Sequence, residues 1–278
     1  MNIRIAKHAG FCSGVDRAYK IAVEAAASGA PTYILGRLVH NSKVIAELES
    51  KGVKSIGDVS EINKGEDCAI VISAHGVGPQ VYKDLEGRCS KIIDTTCPFV
   101  KKAQRKAHEL AEQGYQVVII GDKKHTEVKG IMGWAGTGAV VVEKPEDVDT
   151  LELRARAGIV AQTTQSLDNF NAVVDRLKGR VKELKVNNTL CSATSRMQSS
   201  AVELAVASDI MLVIGDRMSA NTKRLRELCE STGTETHQMQ DVSELKTEWF
   251  EGKENVGVTA GASTPAAVIE EVVRAIQQ

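Results

Sequence analysis

Cys12, Cys97 and Cys191 each stand just before a helical pattern, Val15 to Ala27, Phe99 to Gln113 and Ser195 to Ala207. Gly29 and Gly114 close the first two, and Pro98 sits where the first turn of a helix tolerates proline. An apolar run then ends at Gly36, Gly121 or Gly215, in each case 24 residues after the cysteine. The segments beginning Asp58-Val59, Asp147-Val148 and Asp241-Val242 follow the same cysteines at 46, 50 and 50 residues. Each copy ends in a strand pattern that runs into a polar turn: Ser73-Ala74-His75-Gly76, Ala161-Gln162-Thr163-Thr164 and Ala260-Gly261-Ala262-Ser263. The chain is therefore one unit written three times, at spacings of 85 and 94 residues, and such a period is a statement about fold before any single residue is considered.

The unit is α/β. Tyr33-Ile34-Leu35, Ala69-Ile70-Val71-Ile72, Val117-Val118-Ile119-Ile120, Gly158-Ile159-Val160, Met211-Leu212-Val213-Ile214 and Val256-Gly257-Val258 have strand length, and helical patterns separate them. That alternation predicts mostly parallel sheets. Three related domains are expected, 13–96, 97–190 and 191–278, closing around a pseudo-threefold axis. Residues 1–12 complete the third, with 2 to 7 supplying its missing strand. The corresponding cysteines and strand-end loops are then expected near the axis, where open parallel sheets place their ligands.

Three thiols in one register suit a soft metal or an iron-sulfur cluster, and helix N-termini favour thiolates. A single cysteine before a helix is ordinarily a small buried hydrophobe, so the shared register carries this reading. Their spacing fits neither zinc-finger nor ferredoxin templates. Three ligands leave one iron of a cubane open to substrate. Cys68 and Cys229 read as core residues, and Cys89 has no assigned role. Four residues beyond the three glycines stand His40, His125 and Ser219; with His75, Thr163 and Ser263 from the late strands and Asn221 nearby, they suit a phosphate or diphosphate. Glu127 lies two residues from His125 and, in extended backbone, shares its face; it is either a proton donor in a dry pocket or a first-turn acid complementing a helix dipole. His8, His108 and His237 fall outside the register and read as structural. Lys101-Lys102 with Arg105-Lys106 reads as a solvated helix face.

Phe11-Cys12-Ser13-Gly14-Val15, Leu38-Val39-His40-Asn41, Ala74-His75-Gly76-Val77, Asp94-Thr95-Thr96-Cys97-Pro98, His125-Thr126-Glu127-Val128, Gln162-Thr163-Thr164, Cys191-Ser192-Ala193-Thr194 and Thr259-Ala260-Gly261-Ala262-Ser263 follow one another in this order. This series resembles that of the 4-hydroxy-3-methylbut-2-enyl diphosphate reductases over essentially the whole chain. The resemblance implies a cloverleaf of three α/β domains around a 4Fe-4S cluster. It also implies the last step of the methylerythritol phosphate route, in which a hydroxyl is removed reductively to give isopentenyl and dimethylallyl diphosphates. On this resemblance Cys12, Cys97 and Cys191 ligate the cluster; His40, His75, His125, Thr163, Ser219, Ala220, Asn221 and Ser263 bind substrate; Glu127, Thr163 and His125 carry catalysis; and a ferredoxin or flavodoxin donates electrons. Ala220 departs from the family pattern, which usually has a second serine there, and the stretch Ser192 to Gln198 is looser than usual.

The balance of 35 basic against 36 acidic residues, with 42% hydrophobic and 26% charged, is that of an ordinary globular protein and argues against a generic polyanion binder. Neither an apolar leader nor a membrane-spanning run occurs in the sequence, so the reading is a cytoplasmic monomer with no nucleic-acid or membrane partner. With no Gly-x-Gly-x-x-Gly fingerprint, P-loop or His-Glu-x-x-His helix, a redox enzyme of this kind receives its electrons from a partner. Two other functions compete: a non-redox 4Fe-4S hydro-lyase, separated by reductant dependence, and a non-catalytic diphosphate-binding protein, separated by iron and sulfide content.

Overall fold

In the computed structural model, which describes residues 1–277, the six apolar runs form the inner strands of three sheets. In chain order the strands are β1 (Asn2–Ile5), β2 (Thr32–Leu35), β3 (Val53–Ile56), β4 (Glu66–Ile72), β5 (Cys89–Asp94), β6 (Gln116–Ile120), β7 (Val140–Val142), β8 (Arg156–Ala161), β9 (Glu183–Val186), β10 (Ile210–Ile214), β11 (Glu235–Met239) and β12 (Asn255–Ala260). The helices are α1 (Ser13–Ala26), α2 (Ser42–Ser50), α3 (Pro79–Leu85), α4 (Pro98–Glu112), α5 (Thr126–Ala135), α6 (Leu167–Leu177), α7 (Ser192–Val206), α8 (Ala220–Glu230) and α9 (Ala266–Gln277). The sheet orders are β3-β2-β4-β5, β7-β6-β8-β9 and β11-β10-β12-β1, and every strand pair is parallel. In each, the first strand of the repeat lies between the second and third, and a fourth flanks the third. In the last sheet the fourth place is taken by β1, with Asn2 opposite Asn255 and Ile5 opposite Val258.

Two compact units hold these sheets. The first comprises Met1–Asp16, Val39–Ala46 and Ser192–Gln278 and contains β1, β10, β11 and β12; the second comprises Arg17–Leu38 and Glu47–Cys191 and contains the other two sheets.

The inner strands read as unbroken apolar runs because helices cover both faces, the usual condition of parallel sheets. The two-residue period divides their side chains between two cores. In β6, Val118 and Ile120 pack with Phe170, Val173 and Leu177 of α6. The alternate residues Val117 and Ile119 pack with Ala103 and Ala107 of α4 and Val128 and Ile131 of α5. In β10, Ile210, Leu212 and Ile214 meet Val268, Ile269 and Val272 of α9, whereas Met211 and Val213 meet Ala201 of α7 and Leu225 of α8. Each fully buried Ile or Leu contributes on the order of 2 kcal/mol by burial. The segments at Asp58 and Asp241 cap short 3-10 turns, each carboxylate accepting the N–H and hydroxyl of the serine two residues on. Cys68 and Cys229 are fully buried core residues, and Cys89 brings its sulfur 2.7 Å from that of Cys68 across β4 and β5.

Candidate active site

The repeat is legible in hydrogen bonds as well as in sequence. The N–H groups of Cys12, Cys97 and Cys191 donate to the carbonyls of Ala262, Ala74 and Thr163, at 3.2, 3.0 and 2.9 Å. Each acceptor lies two residues past the end of the third strand of its sheet, β12, β4 or β8. Each cysteine immediately precedes a helix, α1, α4 or α7. In the same manner Gly36, Gly121 and Gly215 donate to Ile56, Val142 and Met239, the last residues of β3, β7 and β11, each at 2.8 or 2.9 Å.

Within the second unit, His125 caps α5: its Nδ1 accepts the Glu127 N–H at 3.2 Å. Glu127 is thus a first-turn helical residue, and the expected extended stretch from His125 to Glu127 is not formed, because the cap turns the chain into α5. Glu127 is nevertheless buried, 2% exposed. Its Oε1 accepts the Thr163 N–H at 2.6 Å, and its Oε2 accepts the Thr163 hydroxyl at 2.9 Å. Burial pushes the Glu127 carboxyl up to about 7, against the two hydrogen bonds from Thr163, which favour the charged form. Thr163 faces both ways, since its carbonyl accepts the Cys191 N–H. The rings of His75 and His125 stand edge to face, 5.5 Å between centroids. Gln162 ties the loops after β6 and β8 together: its Oε1 accepts the Asp122 N–H at 3.0 Å and its Nε2 donates to Thr164 at 3.1 Å.

Within the first unit, Ser219 caps α8, its Oγ accepting the Thr222 N–H at 3.3 Å. Ser263 donates to the His40 carbonyl at 3.0 Å. Asn41, one residue after the position matched to His125 and Ser219, caps α2 by accepting the Val44 N–H at 3.1 Å. Ala220 and Asn221 open α8. Asn221 is 4% exposed, yet neither its Oδ1 nor its Nδ2 has a partner, and the Thr222 hydroxyl beside it is also unsatisfied. A buried carboxamide left unpaired costs several hydrogen bonds' worth of desolvation, and a polar ligand at the α8 N-terminus removes that cost.

The sequence-expected residues thus fall into two sets: Cys12, His40, Ser219, Ala220, Asn221 and Ser263 in the first unit, and His75, Cys97, His125, Glu127, Thr163 and Cys191 in the second. Sequence reasoning passed over Asp216, 6% exposed, whose Oδ1 accepts the Met218 N–H at 2.8 Å and whose Oδ2 accepts the Ser42 N–H at 3.1 Å. The repeat itself signalled it, because Asp122 stands at the matched position and accepts the Lys124 N–H in the same way. Lys101, Lys102 and Arg105 do lie exposed on α4, but they line a groove rather than a featureless solvated face.

Residues 3–277 match the LytB protein family. The chain is 44% identical to the 4-hydroxy-3-methylbut-2-enyl diphosphate reductase of Geobacter sp. (strain M21), over 98% of this chain and 96% of that one. It is also 44% identical to the reductase of the same name from Geobacter metallireducens (strain ATCC 53774 / DSM 7210 / GS-15), over 100% and 98%. Among solved structures, the E-1-hydroxy-2-methyl-but-2-enyl-4-diphosphate reductase from Plasmodium falciparum superposes with a TM-score of 0.94 at 27% identity, covering all of this chain and 88% of that one. A structure of (E)-4-hydroxy-3-methyl-but-2-enyl diphosphate reductase, described as the terminal enzyme of the non-mevalonate pathway, matches with a TM-score of 0.71 at 40% identity over 99% of both chains.

Proposed function

The chain belongs to the LytB protein family, and from that membership we propose how its own residues divide the work of the reductase. It reduces (E)-4-hydroxy-3-methylbut-2-enyl diphosphate, the terminal reaction of the non-mevalonate route. The net change takes two electrons and two protons and releases the hydroxyl as water, leaving isopentenyl and dimethylallyl diphosphates. Cys12, Cys97 and Cys191 are proposed as the ligands of a 4Fe-4S cluster with one iron free of protein. The donor set fits such a group: three soft thiols, each held in one register by its own N–H and each at the head of a helix. When bound, an iron-sulfur cofactor supplies the electrons singly; the protein positions and protonates.

The observation that carries the mechanism is the buried Glu127 clasped by Thr163. With its carboxyl pushed up to about 7, Glu127 keeps a substantial protonated population at neutral pH and gives its proton up without a large penalty, as a general acid requires. The Thr163 N–H and hydroxyl fix both carboxyl oxygens, so the acid cannot rotate away from its task. His125, whose Nδ1 accepts the Glu127 N–H as the α5 cap, is proposed to share in phosphate binding and proton traffic. In the first unit His40, Ser219, Asn221 and Ser263 are proposed to hold the diphosphate, and in the second His75 and His125. The unpaired amide of Asn221 is the strongest support on that side. Ala220 offers only its backbone N–H, one of the first-turn donors of α8. Among the described residues no helix is long and apolar enough to cross a membrane; a cytoplasmic monomer served by a ferredoxin- or flavodoxin-type donor completes the proposal.

Iron and acid-labile sulfide in cubane proportion, on protein prepared without oxygen, with viologen-dependent consumption of the allylic diphosphate, is the expected result. Persistent absence of iron overturns the cluster assignment, and turnover without reductant overturns the reductive one.

A further inference from the structure

A groove of ≈ 770 Å³ runs along α4 in the second unit. Its apolar floor includes Tyr82, Pro98 and Trp134, the last fixed by donation from its Nε1 to the Val77 carbonyl at 2.9 Å. Arg17, Lys101, Lys102 and Arg105 line it against a single carboxylate, Asp94, which Lys101 pairs at 2.7 Å. Thr96 and Pro98, the chain neighbours of Cys97, both line it as well. An apolar floor with a charged, solvated rim is the anatomy of a protein interface. The Lys101 and Arg105 side chains are 51% and 68% exposed, so these cations remain hydrated and attract a partner at long range without locking it in place.

We propose that this groove docks a small acidic electron-carrier protein of the ferredoxin or flavodoxin class, delivering electrons beside Cys97. The inference rests on the reductase reading, which demands two electrons, and the sequence carries no Gly-x-Gly-x-x-Gly fingerprint for a nicotinamide cofactor that would supply them. Each encounter oxidises one reduced carrier and passes one electron inward through the Thr96-Cys97-Pro98 backbone; two encounters with two protons complete one turnover and the release of one water. A weak, salt-sensitive contact of this kind suits a carrier that must leave after each electron. The groove is not read as a nucleic-acid site, because its cations are four on a chain whose net charge is −1.

The test uses the cluster-loaded protein with the charge reversals Lys102→Glu and Arg105→Glu, singly and together, and Lys178→Glu, outside the groove, as control. Binding of a 2Fe-2S ferredoxin and of a flavodoxin is measured by calorimetry at low and high salt, alongside turnover driven by each carrier and by reduced methyl viologen. The double variant is expected to weaken carrier binding at least tenfold at low salt, flatten its salt dependence and raise the KM for carrier by a similar factor. Viologen-driven turnover and the control are expected to be unchanged. Unaltered carrier affinity in the double variant, failure of both carriers to bind the parent protein, or binding of a single-stranded oligonucleotide in the groove in place of a carrier overturns the docking proposal. Loss of viologen turnover in the parent protein instead overturns the reductase reading on which it rests.

Discussion

Exclusion of water from Glu127 raises its carboxyl well above the usual carboxylate range, and that has a sign for stability as well as for catalysis. Its folded value of about 7 lies above the unfolded 4.5, so its contribution is fully present below pH 4.5 and is lost as pH rises to 7. The loss amounts to about 3 kcal/mol above pH 7. Glu127→Gln keeps the shape and has no charge to bury, so urea denaturation from pH 4.5 to 8 is expected to show the parent losing stability relative to the variant across that window. The same variant is expected to retain substrate binding and lose turnover; turnover near that of the parent removes Glu127 from the donor role. Thr163→Val deletes the hydroxyl that favours the carboxylate, leaving the N–H in place. The alkaline limb of the parent's kcat profile is expected near pH 7, and in Thr163→Val it is expected to move upward; a limb that stays in place or falls contradicts the clasp. The sequence shows the acid and its neighbouring histidine, but not the burial. Burial depends on where the β8 loop carries Thr163, and no local pattern around Glu127 encodes that.

At the scale of elements, the inner strands β2, β4, β6, β8, β10 and β12 were legible because burial on both faces leaves an unbroken apolar run. The outer strands β3, β5, β7, β9 and β11 were not. They run three to six residues with exposed or half-buried positions, and they owe their form to ladder hydrogen bonds with an inner strand rather than to a pattern of their own. The matched glycines carry a similar lesson, since one register position conceals different physical demands. Gly36 has φ +72° with open space where a Cβ stands, so its demand is backbone conformation alone. Gly121 has an ordinary φ, but a Cβ there meets the Gln162 Cβ at 2.8 Å and Val128 at 2.9 Å. Gly36→Ala is expected to cost roughly 1–2 kcal/mol in denaturant unfolding, the price of a left-handed L-residue. Gly121→Ala is expected to cost about 1–3 kcal/mol by overpacking and, by displacing Gln162 and the α5 cap, to lower kcat as well. Equal stability losses with kcat untouched in Gly121→Ala contradict this account.

Across the whole molecule, the threefold plan was legible as offsets from three cysteines, and the strand expected within residues 2 to 7 is present as β1. What the offsets do not contain is the grouping into units, because it depends on packing between segments far apart in sequence. Arg4→Pro removes one ladder donor and stiffens β1. Hydrogen exchange in that variant is expected to lose protection along β12 and β10 while β4 and β8 keep theirs; uniform loss in all three sheets contradicts separate cores. The pairing of Asn2 with Asn255 also bears on the order in which the chain becomes structured. β1 starts at Asn2 and its partner β12 at Asn255, so β1 has no ladder to join until almost the whole chain has been made. A waiting strand is an invitation to pair with the wrong chain, and Arg4, with Lys7 just beyond it, places positive charge on that nascent edge as a guard until its proper neighbour arrives.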